Sequence, residues 1–468
     1  MDVQTYASMV PYYPELMQDT YEAILAQYLK APDFKIPSYP GIHFNVEDNM
    51  LEIDMHIQRS QVHPTNKALS EYIYEHYPKT PFRIILWDWH RDESVSGDPT
   101  LLPPKIIQDL CANFKFLYKH ISQWCEIRFD LPLLGVVAYQ SIEDIAKISG
   151  TPKCLRKVEV KEMQSATKNA RLRNGLNSLL DRLWNYMAYT NLRLEDIAIQ
   201  DFDRRMLPGL PYGKLSELHL GTVCSASRVV ELLSLCPTLR KAVFMHLLGP
   251  KPSGNTMSTC TNLRHLILEN DNLSFDKGVN NPFVGMICEV LGRLNAPALK
   301  ELSLGYEDIW SASGFDRFIE NSKCELEKIE FLGIKMSDKD LHRALVKNPQ
   351  LQAFTVEAQS PNRNRGEHYD ILFTSHLLER MTQHGNWKCL CPHLQRLKVT
   401  YPSIQSGSFQ RLVRGPILLR NISLIEARGI DPDDSRALEQ LARNGLSVYL
   451  DGSPANFPPP QPQWSYPH

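Results

Sequence analysis

The sequence predicts an α/β fold built from stacked repeats, on three observations. A phrase with apolar residues at positions one, four and six starts at residues 215, 239 and 263, as LSELHL, LRKAVF and LRHLIL. Its copies are 24 residues apart on both occasions. The phrase recurs further along the chain, with apolar stripes at helical spacing between the copies. A fixed period in the twenties is typical of an irregular leucine-rich-repeat solenoid, with parallel strands on its concave face and helices on its convex face.

Residues 1–60 predict a helical extension ahead of the repeats. Met17, Tyr21, Ile24 and Tyr28 fall on one side of a helix over 14–29. Three prolines then interrupt any regular element before residue 41.

Residues 61–451 predict one continuous solenoid, because strand and helix already alternate before the clear repeats begin. After a helical stripe at 69–77, the early strands are expected at 82–87, 124–129, 155–160 and 194–199, as FRIILW, WCEIRF, LRKVEV and LEDIAI. Helices are expected between them at 106–117, 140–148 and 171–188. This alternation favours one architecture over two unrelated domains.

The phrase continues to the end of the repeat region. The later copies start at residues 299, 326, 351, 394 and 419, and a last strand is expected at 446–450. Ser337 and Asp340 resemble a capping box that opens one of the intervening helices. The spacing ranges from 21 to 43 residues, which predicts loop insertions at 269–282 and 357–370. The proline-rich tail, 452–468, is expected to form neither strand nor helix.

Composition excludes several classes of partner. The net charge is −2, whereas nucleic-acid binding normally needs a basic excess. No apolar run approaches 18 residues and no secretory signal opens the chain, so neither a membrane nor secretion is expected. The ten cysteines form no C-x-x-C pair. We therefore expect reduced thiols in an intracellular protein, cytoplasmic or nuclear.

Two segments could suggest chemistry. Cys389, Cys391 and His393 are close in sequence, but a zinc site usually needs four ligands, and Leu390–Leu394 opens a repeat as Leu235–Leu239 does. His90 lies beside carboxylates in the segment 87–93, without a nucleophile, which favours a solvated loop. No phosphate-binding loop or H-E-x-x-H motif occurs. The sequence therefore predicts a non-catalytic protein with no cofactor and no metal.

Positions three and five of the phrase should point away from the core, onto the concave face, because side chains alternate along a strand. They supply our candidates for partner binding: Glu217, His219, Lys241, Val243, His265, Ile267, Glu301, Lys328, Glu330, Arg396 and Lys398. The set has mixed charge and an apolar patch at Val243 and Ile267, which suits a protein partner. The alternative is that these are ordinary solvated strand residues.

The chain resembles the F-box and leucine-rich-repeat proteins of mushroom-forming fungi over residues 60–450. The resemblance lies in the order of 81–87, 101–133 and 151–160, including His120 and Trp124, and in the C-P-x-L repeat openings. The F-box itself is not recognisable. Only Tyr13-Pro-Glu-Leu16 matches part of the L-P-x-E-[IL]-L pattern, and no tryptophan precedes Trp87.

The resemblance implies that the repeats hold a substrate while an F-box docks to the Skp-type linker of a cullin–RING ubiquitin ligase. Two functions therefore stay open. The chain is the substrate-recognition part of such an adaptor, with its F-box lost or lying ahead of Met1, or it is a stand-alone repeat scaffold with no link to ubiquitin.

Overall fold

We analysed a computed structural model of the chain, which divides into two compact units, residues 1–222 and 223–468. The structure describes residues 42–45, 50–58, 61–62, 81–88, 104–130, 155–161, 179, 190–195, 210–248, 257–270, 286–306, 310–357, 373–382, 390–400, 407, 409, 419–425, 432–450 and 453–455. Each unit has a mixed α/β architecture around a largely parallel sheet.

The first unit is dominated by parallel strands. Its strands are β1 (Ile42–Asn45), β2 (Met50–Gln58), β3 (Gln61–Val62), β4 (Phe82–Asp88), β5 (Trp124–Asp130), β6 (Lys157–Lys161), β7 (Thr190–Glu195) and β8 (Leu215–Ser225). Strands β2, β4, β5, β6, β7 and β8 pair in parallel in that order. The short strands β1 and β3 pair antiparallel with β2.

Aromatic packing anchors the described helix of this unit. Helix α1 (Pro104–Lys119) and a 3-10 turn at Ile121–Gln123 lead into β5, and a second 3-10 turn at Tyr212–Lys214 leads into β8. The rings of Phe114 and Tyr118 meet the buried Trp124 ring edge-on, at 5.9 and 5.7 Å. The Trp124 indole N–H donates to the carbonyl of Leu117 at 3.1 Å, which satisfies the polar group of a buried tryptophan.

The second unit repeats strand and helix more regularly. Its strands are β9 (Lys241–Leu248), β10 (Ser258–Thr259), β11 (His265–Asn270), β12 (Leu294–Asn295), β13 (Glu301–Gly305), β14 (Lys328–Leu332), β15 (Ala353–Glu357), β16 (Arg396–Thr400), β17 (Asn421–Ile425), β18 (Ser447–Leu450) and β19 (Ser453–Pro454). Its helices are α2 (Ala226–Leu235), α3 (Met286–Leu291), α4 (Ala312–Ser322), α5 (Asp338–Val346), α6 (Ser375–Thr382) and α7 (Pro432–Arg443).

Parallel pairing links the phrases of the second unit in register. Strands β9, β11, β13, β14, β15, β16, β17 and β18 pair in that order. Strand β19 pairs antiparallel with β18, and β10 and β12 form a separate parallel pair. Position four of each phrase pairs with position four of the next, as Leu266 does with Leu302 and Leu302 does with Ile329. Equivalent side chains of successive phrases therefore form rows across the sheet.

The core of the second unit consists of the buried rows and the helices that pack against them. Leu263, Leu266 and Leu268, at positions one, four and six of one phrase, are each 0% exposed. Helix α3 contacts β9 and β11 and also packs on α2 and α4. Full burial of a leucine side chain contributes about 1.5–3 kcal/mol, so the repeated leucines supply the main force that holds strand to helix.

Two backbone features recur before the strands. The position-one leucine donates its N–H three residues back, as Leu239 does to Cys236 at 3.1 Å and Leu394 does to Cys391 at 3.2 Å. The carbonyl of the residue after this leucine accepts two N–H groups from the following repeat. The Arg240 carbonyl, for example, accepts from the Arg264 N–H at 2.8 Å and from the His265 N–H at 3.0 Å. The same double acceptance occurs at Arg264, Lys300, Glu327, Gln352 and Gln395. These bonds set the register from repeat to repeat.

The strand pattern confirms most of the sequence predictions. The strands expected to start near residues 82, 124, 155 and 215 are present. Strands also form at every later copy of the phrase and at the closing segment. Ser337 caps α5 as predicted, because its Oγ accepts from the Asp340 N–H at 3.1 Å. The strand predicted at 194–199 overlaps the observed one only at residues 194 and 195, and residues 196–199 lie outside those described. The strand is β7, and its Leu192 and Leu194 pair with Leu218 and Leu220, so the phrase begins at Tyr189, where no leucine marked it.

Both ends of the predicted repeat region also differ from expectation. Strands β1 and β2 lie within residues 1–60, where we predicted a helical extension, so the sheet begins before residue 61. Strand β2 pairs in parallel with β4, with Leu51 opposite Phe82 and Ile53 opposite Ile84. At the other end, Ser453 and Pro454 form a strand inside the predicted tail. Among the described strands β19 pairs with β18 alone, and proline is tolerated where a strand needs no second ladder.

Several predictions concern residues outside those described. They are the helices at 14–29, 69–77 and 140–148, the helix at 171–188 apart from Leu179, the loop after Asp88, most of the two insertions, Cys389 and the tail from residue 456. Leu179 is helical and 2% exposed. One continuous solenoid over 61–451 stays a prediction.

Candidate functional site

Residues at positions three, five and seven of β9, β11 and β13–β16 form what we call the polar face of the second unit. They alternate with the buried positions four and six, so they lie on the other side of the sheet. In β11, for example, His265, Ile267 and Glu269 are partly exposed while Leu266 and Leu268 are buried. Strand register brings these residues into rows that run across the strands.

The structure brings nine of the predicted binding residues into two rows of the polar face. Position three supplies Lys241, His265, Glu301, Lys328 and Arg396, with Ala353 between the last two. Position five supplies Val243, Ile267, Glu330 and Lys398, with Ser303 and Thr355 in the same row. Their part in partner binding stays a prediction.

The other two predicted residues lie on β8 in the first unit. Glu217 pairs in register with Asn191, and His219 pairs with Arg193. Glu217 is exposed and His219 is partly exposed.

The predicted apolar patch is smaller than expected. Val243 is only 6% exposed. Ala353 and Ser303 are likewise 6% exposed. Among the predicted binding residues, Ile267 is therefore the apolar side chain that the polar face presents to solvent.

Ion pairs neutralise part of the polar face. His265 Nδ1 lies 3.1 Å from Glu301 Oε2 on the neighbouring strand, an ion pair when the histidine is protonated. Lys328 Nζ lies 3.0 Å from Glu330 Oε1, and Lys398 Nζ lies 2.5 Å from Glu357 Oε1. Because these side chains are about one-quarter to two-fifths exposed, each pair contributes at most about 1 kcal/mol to stability. A partner could therefore displace such a pair at little cost.

Three cations lie at one corner of this sheet, where Lys241 belongs to the polar face and Arg240 and Arg264 directly precede β9 and β11. Arg240, Lys241 and Arg264 are all exposed, and none forms an ion pair with any residue that the structure describes. Arg240 and Arg264 occupy position two of adjacent phrases, and their backbones are bonded at 2.8 Å. Among the described residues, the positive charge of this corner is therefore uncompensated.

An acidic cluster at the C-terminal ends of the strands was missed from the sequence. Glu269 and Glu357 occupy position seven, and Tyr306 follows β13 with a φ of 59°. Burial, together with the charge of Glu330, raises the pKa of Glu269. Burial and the charges of Glu269 and Glu357 raise the pKa of Tyr306. The six-residue phrase ends before position seven, so it gave no signal for this cluster.

The glycine at position seven of β13 makes room for this cluster. A Cβ on Gly305 would lie 2.8 Å from Glu269 Cγ, so the Glu269 side chain lies across the strand where a side chain is missing. Within the described part of the chain, no ion pair or hydrogen bond compensates the Glu269 carboxylate.

The first unit carries a more fully paired set of charges on its strands. Arg83 Nε lies 2.8 Å from Glu126 Oε2, and Arg128 Nε lies 3.1 Å from Glu159 Oε1. Both carboxylates are buried, with Glu126 at 9% and Glu159 at 7% exposed. Loss of its cation would leave a buried carboxylate uncompensated and destabilise the fold, so these groups are less available to a partner than those at the exposed corner of the second unit.

The cysteine-containing segment Leu390–Leu394 forms the turn that opens a repeat, as its sequence predicted. Cys391 is 4% exposed, and its carbonyl accepts the Leu394 N–H in the turn before β16, as the Cys236 carbonyl accepts the Leu239 N–H before β9. Among the described residues, no group of three or more histidine, cysteine, aspartate or glutamate side chains could hold a metal ion. His393 is exposed.

Comparison with known proteins gives little further information. No protein-family model matches the chain, and no curated protein sequence matches it. One similar solved structure is the crystal structure of the Rad7 and Elc1 complex in yeast, with 12% sequence identity and a TM-score of 0.35. The match covers 72% of this chain and 77% of that one. A likeness at this score carries no argument about function. Among the described residues, no helix is long and apolar enough to cross a membrane.

Proposed function

We propose that the chain is a non-catalytic protein-recognition module with leucine-rich-repeat architecture. The observation that carries the proposal is the register of the second unit, which aligns positions three and five of six successive phrases into rows on one polar face. A protein that presents partly exposed charged and apolar side chains in fixed rows can contact a partner over several strands at once.

The repeat architecture is supported by features beyond the leucine pattern. The turn before the strand and the shared carbonyl recur from one phrase to the next, at Arg240, Arg264 and Lys300 for example. Helices α2, α3, α4 and α5 pack in sequence against one another. Each repeat therefore makes equivalent contacts with its neighbour, as in a protein that grows by stacking.

Within this class, we propose substrate recognition for a ubiquitin ligase as the more specific function. Its support is the resemblance of residues 60–450 to fungal F-box and repeat proteins. The competing function is a stand-alone scaffold, which the unrecognisable F-box pattern favours. Both functions use the polar face, and they differ only in whether the Skp-type linker and a cullin also bind.

Affinity capture followed by mass spectrometry tests the proposal. The chain, tagged at its C-terminus and expressed at native level in its own cells, should recover specific proteins that an untagged strain does not. Recovery of a Skp-type linker and a cullin supports the adaptor, whereas reproducible recovery of other proteins alone supports the scaffold. If the purified chain instead converts a metabolite with turnover, the non-catalytic proposal is wrong.

A further inference from the structure

The charges of strand β11 are ordered along its length. Arg264 directly precedes the strand and His265 begins it, Ile267 lies in the middle, and Glu269 lies near its C-terminal end. His265, Ile267 and Glu269 share the polar face, because they alternate with the buried Leu266 and Leu268. The order on this strip is therefore basic, apolar, acidic.

The neighbouring strands strengthen both ends of the strip. At the basic end, Lys241 pairs in register with His265, and the Arg240 backbone bonds to that of Arg264. At the acidic end, Glu269 and Glu357 are close enough to Tyr306 for both to raise its pKa, and Glu330 is close enough to raise that of Glu269. Glu357 and Glu330 are paired with Lys398 and Lys328, so the negative charge of this end comes mainly from Glu269.

Among the described residues, the charges that form no ion pair lie at opposite ends of the strip. Arg240, Lys241 and Arg264 form no ion pair with a described residue, and neither does Glu269. By contrast, the cations Lys328 and Lys398 are each paired with a glutamate. A partner therefore gains most by placing negative charge at the first end and positive charge at the second.

We propose that this strip binds a protein segment whose side chains run acidic, apolar, basic. The proposal rests on the proposed function and names the chemistry of its partner. Five residue steps along β11 separate Arg264 from Glu269, a distance of about 16 Å at roughly 3.3 Å per residue. An α-helix of about 11 residues, with a rise of 1.5 Å per residue, spans the same length.

A protein segment fits this strip better than a nucleic acid does. The phosphates of a nucleic acid would gain from Arg240, Lys241 and Arg264, but would meet Glu269 at the other end. Ile267 offers apolar surface between the two charged ends, and a phosphate backbone has nothing to place on it. Opposite charges at the two ends specify the orientation of a partner more than they add affinity.

The binding of three synthetic peptides to the whole chain tests this inference. Each is a helical peptide of about 12 residues with the same apolar centre. One carries acidic residues at one end and basic residues at the other, one is acidic at both ends, and one is basic at both ends. Fluorescence anisotropy at low ionic strength should show the mixed peptide binding about tenfold more tightly than either uniform peptide.

Charge reversal supplies the decisive comparison. Glu269→Lys should transfer the preference from the mixed peptide to the doubly acidic one, and Arg264→Glu should transfer it to the doubly basic one. Lys339→Glu, at an exposed position of helix α5, is the matched control and should leave all three affinities unchanged. The charge-ordered strip is refuted if the mixed peptide has no advantage, if no peptide binds, or if the reversals do not change the preference.

Failure of this inference can be distinguished from failure of the proposed function. If affinity capture recovers the same proteins with the parent chain and with Glu269→Lys, while the peptides do not discriminate, protein recognition stands and the charge-ordered strip is wrong. If capture recovers no protein at all, the proposed function itself fails.

Discussion

Leu266 shows how one position of the repeat contributes to the core. It is 0% exposed and pairs in register with Ala242 on one side and Leu302 on the other. Its neighbour in sequence, His265, points to the other face and is partly exposed. A substitution at Leu266 therefore tests which residues of the strand face the core and which face solvent. A shift of the strand register by one residue would exchange these two sets.

Leu266→Asp should destabilise the chain strongly, because it places a carboxylate among apolar side chains without a partner. We expect the free energy of unfolding to fall by about 3 kcal/mol or more. Arg264→Asp, two residues earlier and exposed, should change it by about 0.5 kcal/mol or less. Chemical denaturation of both variants checks this, and equal stability would show that the assignment of faces is wrong.

Glu269 should make stability depend on pH, since burial and the charge of Glu330 raise its pKa above the ordinary 4.5. An acid with a raised folded-state pKa holds its proton more tightly in the folded chain than in the unfolded chain. The ionised form therefore lowers stability as pH rises from 4.5 through the raised value. Glu269→Gln should raise the melting temperature at pH 7 and have little effect at or below about pH 4.5.

A matched glutamate provides the control for that titration. Glu325, with a side chain 73% exposed, should give a Gln variant whose melting temperature follows that of the parent at every pH. If Glu269→Gln and Glu325→Gln have the same melting temperature at pH 7, the ionised Glu269 carboxylate does not destabilise the folded chain, and the prediction is wrong.

At the scale of elements, one buried carboxylate joins two helices. Asp316 of α4 is 6% exposed and contacts both Arg343 and Lys347 at the end of α5, with its Oδ1 at 2.9 Å from Lys347 Nζ. Such charge-assisted bonds are stronger than neutral ones, and the buried side chain has little water to replace them. The contact therefore holds neighbouring repeats together on the helical side.

Asp316→Asn should lower the free energy of unfolding by about 1–3 kcal/mol, because the amide cannot neutralise two cations. Glu320→Gln is the matched control, since Glu320 also pairs with Lys347, at 3.2 Å, but is 68% exposed. That variant should lose at most about 1 kcal/mol. Equal losses in denaturant titration would mean that burial of Asp316 does not strengthen the contact.

The elements show what the sequence could and could not predict. Strands that carry the leucine phrase were predicted because periodicity depends on local residues alone. Strand β7 was misplaced because Tyr189 stands where a leucine would mark its start. The acidic cluster around Tyr306 was missed because it depends on strands that extend one residue past the phrase and on the gap at Gly305.

At the scale of the whole molecule, most described cysteines belong to the core. Of the eight described, only Cys111 and Cys125 are not buried. Burial and the proximity of Cys260 raise the pKa of Cys236 to about 12, and burial raises that of Cys324 to about 11. Because the thiolate is the reactive form, these thiols should be inert while the chain is folded.

Alkylation by iodoacetamide at pH 8, with peptide mapping, checks this expectation. Cys236 and Cys324 should stay unmodified in the native chain and react fully in guanidinium, whereas partly exposed Cys111 should react faster than either in the native chain. Native labelling of Cys236 at the rate of Cys111 would contradict the packing of the second unit.

The central claim is that the polar face of the second unit recognises a protein. Quantitative affinity capture with Ile267→Arg tests it most directly, because Ile267 is partly exposed in the middle of that face. We expect recovery of the specific partners to fall by about tenfold, which corresponds to about 1.4 kcal/mol, with the melting temperature unchanged. Lys339→Glu should retain them. Full recovery of the partners by folded Ile267→Arg would contradict the claim.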